Sequence, residues 1–364
     1  MSNGKTKIAI VSRSLAIGGA ERSSALLSIL LSNAGFEVHI VTIIDEIEFE
    51  YQGKLFNLGI LKKKDDSITG RFKRMLVFRD YINKNKFDWI IDNRTSRSSW
   101  SDFIVSRFVF DPPKTIYVIR SFNIQKYFPK NQWIAKIIYR HSPYIVCVSE
   151  EIKKVVQKTY GYTNLVRIYN PIDTKKIVSM AGNEVEENRY ILAYGRIEDE
   201  IKNYSLLIDA YAKSLLPKQN MLLFIVGDGS DVLNLKEKVE ALMLSDKIIF
   251  KPKIVNPFPI VKHAYFTVLT SHFEGFPRVI IESLSVGTPV ISVDCQSGPK
   301  EIIQNEKNGL LVENYNVPKL SEAMNRFVQD HELYRVCKEN ARDSVAHLSL
   351  DNIAAQWKEI LEKH

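Results

Sequence analysis

SHFEGFPRVIIESLSVGTPVISVDCQSGPKEI, residues Ser271–Ile302, packs a turn, a helix and a strand into one short run. Gly275 and Pro277 mark a loop, and Pro277 suits the first turn of a helix, where its missing N–H costs nothing. That helix is expected to run to about Val286. Its N-terminus would present the backbone N–H groups of Phe276, Arg278 and Val279 with about half a unit of positive partial charge, a setting suited to a phosphate. Glu274 lies before this terminus and Glu282 inside the helix. Two carboxylates aimed at a phosphate would oppose it, so both are read as acceptors for neutral hydroxyls flanking it, a sugar on one side and a ribose on the other. Taken alone, the same spacing also describes an amphipathic helix with two solvated glutamates.

The spacing and neighbours of Glu274 and Glu282 resemble the E-x7-E motif of retaining glycosyltransferases with the GT-B fold, in particular the GT4 family. Four further segments fall in the order that family requires. The first follows the apolar strand KIAIVS, Lys7–Ser12. It is the loop Gly18-Gly19-Ala20-Glu21-Arg22 ahead of an apolar-periodic helix through Leu31. Paired glycines admit close backbone approach, but the pattern is wrong for a dinucleotide site, which wants G-x-G-x-x-G. It resembles the GGAER loop of GT4 enzymes, in which the glycine amides face donor phosphates and acceptor. A tight strand-to-helix turn accounts for it equally well.

The second segment, ILAYGRIEDEIK, Ile191–Lys202, is a strand followed by Gly195-Arg196 and then Lys202. It resembles the family's G-R-x(n)-K element, in which Arg and Lys neutralise a departing nucleotide diphosphate. A guanidinium fork matches phosphate geometry and an ammonium adds a compact charge, and fixed cations there would stabilise the transition state more than the ground state. Third, LLFIVGDG, Leu222–Gly229, with Gly227 in its turn, and FKPKIV, Phe250–Val255, resemble the wall that holds the nucleotide base, the backbone of Lys253 and Ile254 reading its edge. Fourth, VCVSEE, Val146–Glu151, and YNPID, Tyr169–Asp173, resemble the strand-end elements that close the amino-terminal domain.

One departure stands out. Many GT4 members carry a histidine after an amino-domain strand, near the reacting carbon of the sugar. Here Tyr117–Asn123 reads YVIRSFN, with Arg120 or Ser121 at that place, so no histidine-dependent role is carried across. All seven histidines are read as structural or exposed.

The resemblance implies a retaining transferase that moves a hexose or N-acetylhexosamine from a UDP-sugar to an acceptor hydroxyl of a glycan or lipid-linked glycan. The Ser297-Gly298-Pro299-Lys300-Glu301 run looks like that of members serving bacterial surface glycans. It implies catalytic roles for Arg196, Lys202 and Glu274. Donor binding would fall to Gly18, Gly19, Gly195, Arg196, Lys202, Gly227, Lys253, Ile254, Glu274, Gly275, Phe276, Pro277, Arg278, Val279 and Glu282. No cofactor or metal is expected, because Arg and Lys take a metal's place.

Length and patterning point the same way. A chain of 364 residues exceeds one ordinary core. IAIVS, VHIVTII, WIID, TIYVI, YIVCV, ILAYG, LLFIVG, AYFTVLT and PVISV are apolar throughout and separated by helical segments, as in parallel sheets covered on both faces. The fold class expected is therefore α/β, two doubly wound Rossmann-like domains of the GT-B kind with an interdomain cleft. The boundaries are set at 1–178 for the acceptor-side domain, 179–347 for the donor domain, and 348–364 for a helix crossing back to the first. Met180–Asn188, polar and acidic, is the expected linker region.

Charge is unevenly placed. Residues 1–180 hold 29 Lys+Arg against 16 Asp+Glu, net +13, and residues 181–364 hold 21 against 26, net −5, which together give the +8 of the chain. Lys62, Lys63, Lys64, Arg71, Lys73, Arg74 and Arg79 cluster with Phe72, Met75, Leu76, Val77 and Phe78. The pattern fits peripheral contact with an anionic membrane and hence a lipid-linked acceptor; a solvated basic helix face fits it as well. Neither zinc-finger spacing nor an aromatic RNA-binding signature accompanies the charge, so nucleic acid is not expected as a partner. Cys147, Cys295 and Cys337 are few and far apart, as suits a reducing cytoplasm. No signal peptide or apolar run of about 20 residues is read, which places the protein in the cytoplasm, at most against the inner face of the plasma membrane.

Two other readings compete. A UDP-sugar 2-epimerase on the same fold would need acid/base carboxylates and histidines in its cleft, and the absent histidine near Arg120 argues against it. A catalytically silent nucleotide-sugar-binding partner is disfavoured by the presence of Arg196, Lys202, Glu274 and Glu282 together.

Overall fold

A computed structural model describes residues 5–16, 18–95, 99–182 and 189–363. The chain divides into two compact units, residues 1–171 with 350–364, and residues 172–349. Most of the expected linker, residues 183–188, lies outside the described residues.

The first unit is built on seven strands: β1 (Lys7–Ser12), β2 (Glu37–Thr42), β3 (Lys54–Asn57), β4 (Trp89–Asp92), β5 (Thr115–Ile119), β6 (Ile145–Cys147) and β7 (Leu165–Arg167). The second has six: β8 (Tyr190–Tyr194), β9 (Leu222–Val226), β10 (Ile248–Lys251), β11 (Thr267–Leu269), β12 (Val290–Val293) and β13 (Gly309–Val312). Their orders are β3-β2-β1-β4-β5-β6-β7 and β10-β9-β8-β11-β12-β13. Every strand pairing among the described residues is parallel, from Ile8↔Val38 in the first sheet to Val290↔Gly309 in the second. Helices cover both faces, which is why Ile8, Ile10, Ile90, Ile91, Ile191, Leu223 and Ile291 are all buried.

Each sheet reverses its winding once, between β1 and β4 in the first unit and between β8 and β11 in the second. In doubly wound sheets the crevice outside the carboxyl ends of the strands at such a reversal is where ligands bind. The C-terminal helix Leu350–Leu361 buries Ile353, Trp357, Ile360 and Leu361 and packs on the helix Gly19–Asn33 of the first unit. Trp89 Nε1 donates to Leu361 O at 3.0 Å and ties that helix to β4.

Candidate active site

The second unit's reversal point holds the densest set of expected site residues. Lys202 ends the short helix Asp199–Lys202 beyond β8, and Glu274 sits in the loop beyond β11. Lys202 Nζ lies 2.6 Å from Glu274 Oε1, with the two side chains 23% and 13% exposed. Ser271 Oγ donates to the same oxygen at 2.7 Å. The two loops are also stitched through backbone: His272 N donates to Ile201 O at 2.9 Å and Thr270 Oγ1 to Lys202 O at 3.0 Å. Beneath them Tyr204 is buried, and that burial, reinforced by the carboxylates of Glu274 and Asp199, holds its hydroxyl far above the ordinary tyrosine range. Ser271 escaped the sequence reading, although its place three residues ahead of Glu274 is the usual offset for a local hydroxyl–carboxylate contact.

The helix after the loop runs Arg278–Ser285 with Pro277 as its N-cap, φ −69° and ψ 107°. Pro277 thus stands one place ahead of the first turn expected for it, because its extended ψ is not helical. Ile280, Ile281 and Leu284 bury the inner face. Glu282 is not solvated: it is 3% exposed, accepting from Tyr194 Oη at 3.3 Å and Arg278 Nε at 3.3 Å. Tyr194 Oη also lies 3.1 Å from Val279 O, so this tyrosine at the end of β8 pins the first turn of the helix to the sheet. Gly275 and Phe276 lead into that turn, with Phe276 buried.

The Ser297–Glu301 run buttresses the loop. Ser297 Oγ donates to Gly275 O at 2.7 Å, and Glu274 N to Gln296 O at 3.0 Å. Gly298 has φ +102°, and a Cβ there would sit 2.3 Å from Pro277 Cδ, so only glycine lets the two turns touch.

Gly195 and Gly227, at the ends of β8 and β9, have φ +141° and +150°. A Cβ on Gly227 would come within 1.8 Å of Gly195 O, and one on Gly229 within 1.9 Å of Ile197 O. These glycines let two strand-end loops run backbone against backbone, closed by Ile197 N to Asp228 O at 2.9 Å. Arg196, beside them, is 53% exposed and pairs with Glu198 at 3.2 Å. It is not drawn into the Lys202–Glu274 pair. Lys253 and Ile254 follow β10 in an exposed stretch, and the Lys253 N–H is engaged by Asp228 Oδ1 at 3.3 Å. The apolar wall read over Phe250–Val255 therefore ends as a strand at Lys251.

Gly18 and Gly19 belong to the first unit, beyond β1. Gly18, φ +132°, is the N-cap of the helix Gly19–Asn33, and its carbonyl accepts from Arg22 N at 3.1 Å. In the basic cluster the structure corrects the sequence reading. Phe78 is buried in the core, with Met75 packed against it, and Arg74, on a 15% exposed side chain, is held by Asp66 at 2.7 Å. The large apolar side chains that face outward on the helix Ile68–Asn85 are Ile68, Phe72, Leu76 and Val77, beside the exposed Arg71, Lys73 and Arg79. Among the described residues no three His, Cys, Asp or Glu side chains gather as a metal site, and no helix is long and apolar enough to cross a membrane. All three cysteines are buried and unpaired with one another.

Two family models match end to end, the Glycosyltransferase Family 4 model over residues 17–176 and the Glycosyl transferases group 1 model over residues 175–344. The chain is 26% identical over 353 residues, 92% of its own length and 94% of the relative's, to the Campylobacter jejuni N-acetylgalactosamine-N,N'-diacetylbacillosaminyl-diphospho-undecaprenol 4-alpha-N-acetylgalactosaminyltransferase. It is 23% identical over 358 residues, 94% and 96% of the two chains, to the Erwinia amylovora amylovoran biosynthesis glycosyltransferase AmsD. Among solved structures, S. aureus TarM crystallised with fondaparinux, alpha-GlcNAc-glycerol and UDP superposes with a TM-score of 0.79 at 14% identity, over 98% of this chain and 100% of that one. Anabaena HepE in complex with UDP-glucose gives 0.77 at 19% identity, over 98% and 100%. With adjoining models spanning residues 17–344 and two parallel Rossmann-like sheets of the GT-B kind, the chain belongs to the GT4-like glycosyltransferases.

Proposed function

We propose that the protein is a retaining transferase that moves a hexose or N-acetylhexosamine from a UDP-sugar to a hydroxyl of a glycan or lipid-linked glycan during synthesis of a bacterial surface polysaccharide or glycoconjugate. The observation that carries this reading is the Lys202–Glu274 pair at the winding reversal of the second unit, in the loop that leads to the N-terminus of the helix Arg278–Ser285. A pyrophosphate there would meet an ammonium held in place by two hydrogen-bonded loops, together with the backbone N–H groups of Phe276, Arg278 and Val279. Arg196 would join by leaving Glu198, an exposed pair worth about 0–1 kcal/mol and so readily surrendered. As the sugar–phosphate bond breaks, negative charge would grow on the terminal oxygen of the leaving diphosphate, where the Lys202 ammonium, the helix N–H groups and a released Arg196 would stabilise it. Glu274 would orient sugar hydroxyls while fixing Lys202. Glu282, anchored by Tyr194 and Arg278, would offer its remaining lone pairs to the ribose. The departing phosphate would help deprotonate the acceptor on the same face, which gives retention, and no metal is needed for any of these steps.

The names of relatives support the setting: the Campylobacter relative is named for a diphospho-undecaprenol acceptor and AmsD for amylovoran synthesis. We place this protein in the cytoplasm, with its first unit against the anionic inner face of the plasma membrane. Ile68, Phe72 and Leu76 recur every fourth residue and so share one helix face. They are 85%, 57% and 45% exposed. Lys62, Lys64, Lys73 and Arg79 accompany them in the same stretch of chain, an arrangement suited to interfacial seating. Incubation with a panel of UDP-sugars, with UDP release and the anomeric configuration of the product followed by NMR, tests the reading. Release of UDP with a retained anomer supports it, whereas interconversion of UDP-N-acetylglucosamine with its 2-epimer, or binding with no UDP release, would replace it.

A further inference from the structure

Glu274 uses its two carboxylate oxygens differently. Oε1 accepts from both of its partners, Lys202 Nζ at 2.6 Å and Ser271 Oγ at 2.7 Å. Oε2 accepts no hydrogen bond among the described residues, and the side chain keeps 13% exposure. The two donors on Oε1 differ in kind. Lys202 carries three N–H groups on a flexible stem, is 23% exposed, and can share those donors with an incoming anion. Ser271 has a single O–H and is fully buried, out of reach of an anion in the crevice. Its bond to Glu274 is therefore the one that persists when the ammonium turns to another partner.

That bond is not required to hold the loop. Three others already fix the chain around Ser271: Thr270 Oγ1 to Lys202 O at 3.0 Å, His272 N to Ile201 O at 2.9 Å, and Glu274 N to Gln296 O at 3.0 Å. A loop serine commonly gives its hydroxyl to nearby backbone. Ser271 Oγ makes no backbone bond among the described residues and donates instead to a carboxylate three positions on. What it restrains is the terminal torsion of Glu274, which is broad in a free glutamate. With Oε1 engaged, Oε2 is left as an acceptor-only group, suited to neutral hydroxyl donors.

We propose that Ser271 is a positioning residue for the transfer reaction: it locks the Glu274 carboxylate so that Oε2 accepts from hydroxyls of the donor sugar even while Lys202 is engaged by the diphosphate. This role rests on the transferase reading of the same site. The experiment uses the full chain and measures the Kd of UDP together with kcat/KM for UDP release from UDP-glucose, UDP-galactose and their N-acetyl forms. It compares wild type with Ser271→Ala and with Ser271→Cys, since cysteine is close to serine in size but offers only a weak S–H donor. The expected result is that both variants bind UDP within about twofold of wild type, while kcat/KM for the best donor falls by about tenfold or more. A merely structural role would weaken UDP in parallel, because the same loop leads into the helix N–H groups proposed to meet its phosphates, and that outcome overturns the proposal. Unchanged kcat/KM in Ser271→Ala overturns it as well. So does wild-type behaviour of Ser271→Cys, the variant that supplies the comparison should Ser271→Ala fail to fold. A wild type that binds no UDP overturns the donor-site reading itself, whereas intact UDP binding with unmoved kcat/KM overturns the role of Ser271 alone.

Discussion

Lys202→Ala removes the ammonium 2.6 Å from Glu274. Stranding one partner of a fully buried ion pair costs about 3–5 kcal/mol. Here the side chains keep 23% and 13% exposure, and Ser271 still donates to the carboxylate, so a cost of about 1–2 kcal/mol is expected. That corresponds to a loss of a few degrees in Tm for the second unit, with the fold intact. The effect on chemistry is larger, because the ammonium meets charge that develops only as the diphosphate departs. Loss of one such preorganised donor lowers kcat by about 10²–10³. The assay is UDP release at saturating donor and acceptor, beside circular dichroism and a thermal melt. Near-normal turnover in the folded variant would remove Lys202 from the mechanism. A variant that lost both turnover and its cooperative melt would show that the pair serves the fold and not the reaction.

Gly227→Ala should destabilise the second unit by about 3 kcal/mol or more, since its φ is +150° and a Cβ would meet Gly195 O at 1.8 Å. Gly161→Ala, with φ +71° and open space around it, should cost only about 1–2 kcal/mol, and equal urea midpoints for the two variants would refute the argument. His39 is 2% exposed, and burial holds its pKa below the ordinary 6.5 despite Glu37 beside it. The unfolded chain therefore binds a proton that the folded chain refuses, and stability should fall as pH drops below 6.5. Denaturant midpoints should show a shallower fall for His39→Gln. Glu37 acts in a separate window: its pKa is lowered to about 2, chiefly by Lys54, so its contribution is full above 4.5 and lost as pH falls toward 2. Phe72→Ser with Leu76→Ser should abolish sedimentation with phosphatidylglycerol vesicles while leaving turnover on soluble substrates unchanged; undiminished sedimentation would exclude this face.

The central strands were legible because burial on both faces leaves them apolar throughout, as KIAIVS, TIYVI and PVISV show. The edge strands β3, β7 and β13 were not. KLFN and LVR are partly exposed, and GLLV opens on a glycine and ends on two half-buried residues, Leu311 and Val312. The identities of Lys202 and Glu274 could be read from spacing within one stretch each, but their pairing spans 72 positions and depends on where β8 and β11 lie in the sheet. The same distance effect hid the burial of Glu282, whose partner Tyr194 is 88 positions away. Gly227 read as a turn residue, and only the close approach of Gly195 explains why glycine is required there. Phe78 and Arg74 looked like surface partners of the basic run, yet helical phase turns one into the core and the other onto Asp66.

Comparative titration of UDP and UMP into the wild type and into an Arg196→Ala, Lys202→Ala double variant tests the donor site most directly. The wild type is expected to bind UDP more tightly than UMP by about tenfold or more, since the terminal phosphate gains charge-assisted bonds, and the double variant to lose most of that difference while keeping its affinity for UMP. Equal affinities for UDP and UMP in the wild type, or an undiminished preference in the double variant, would contradict it.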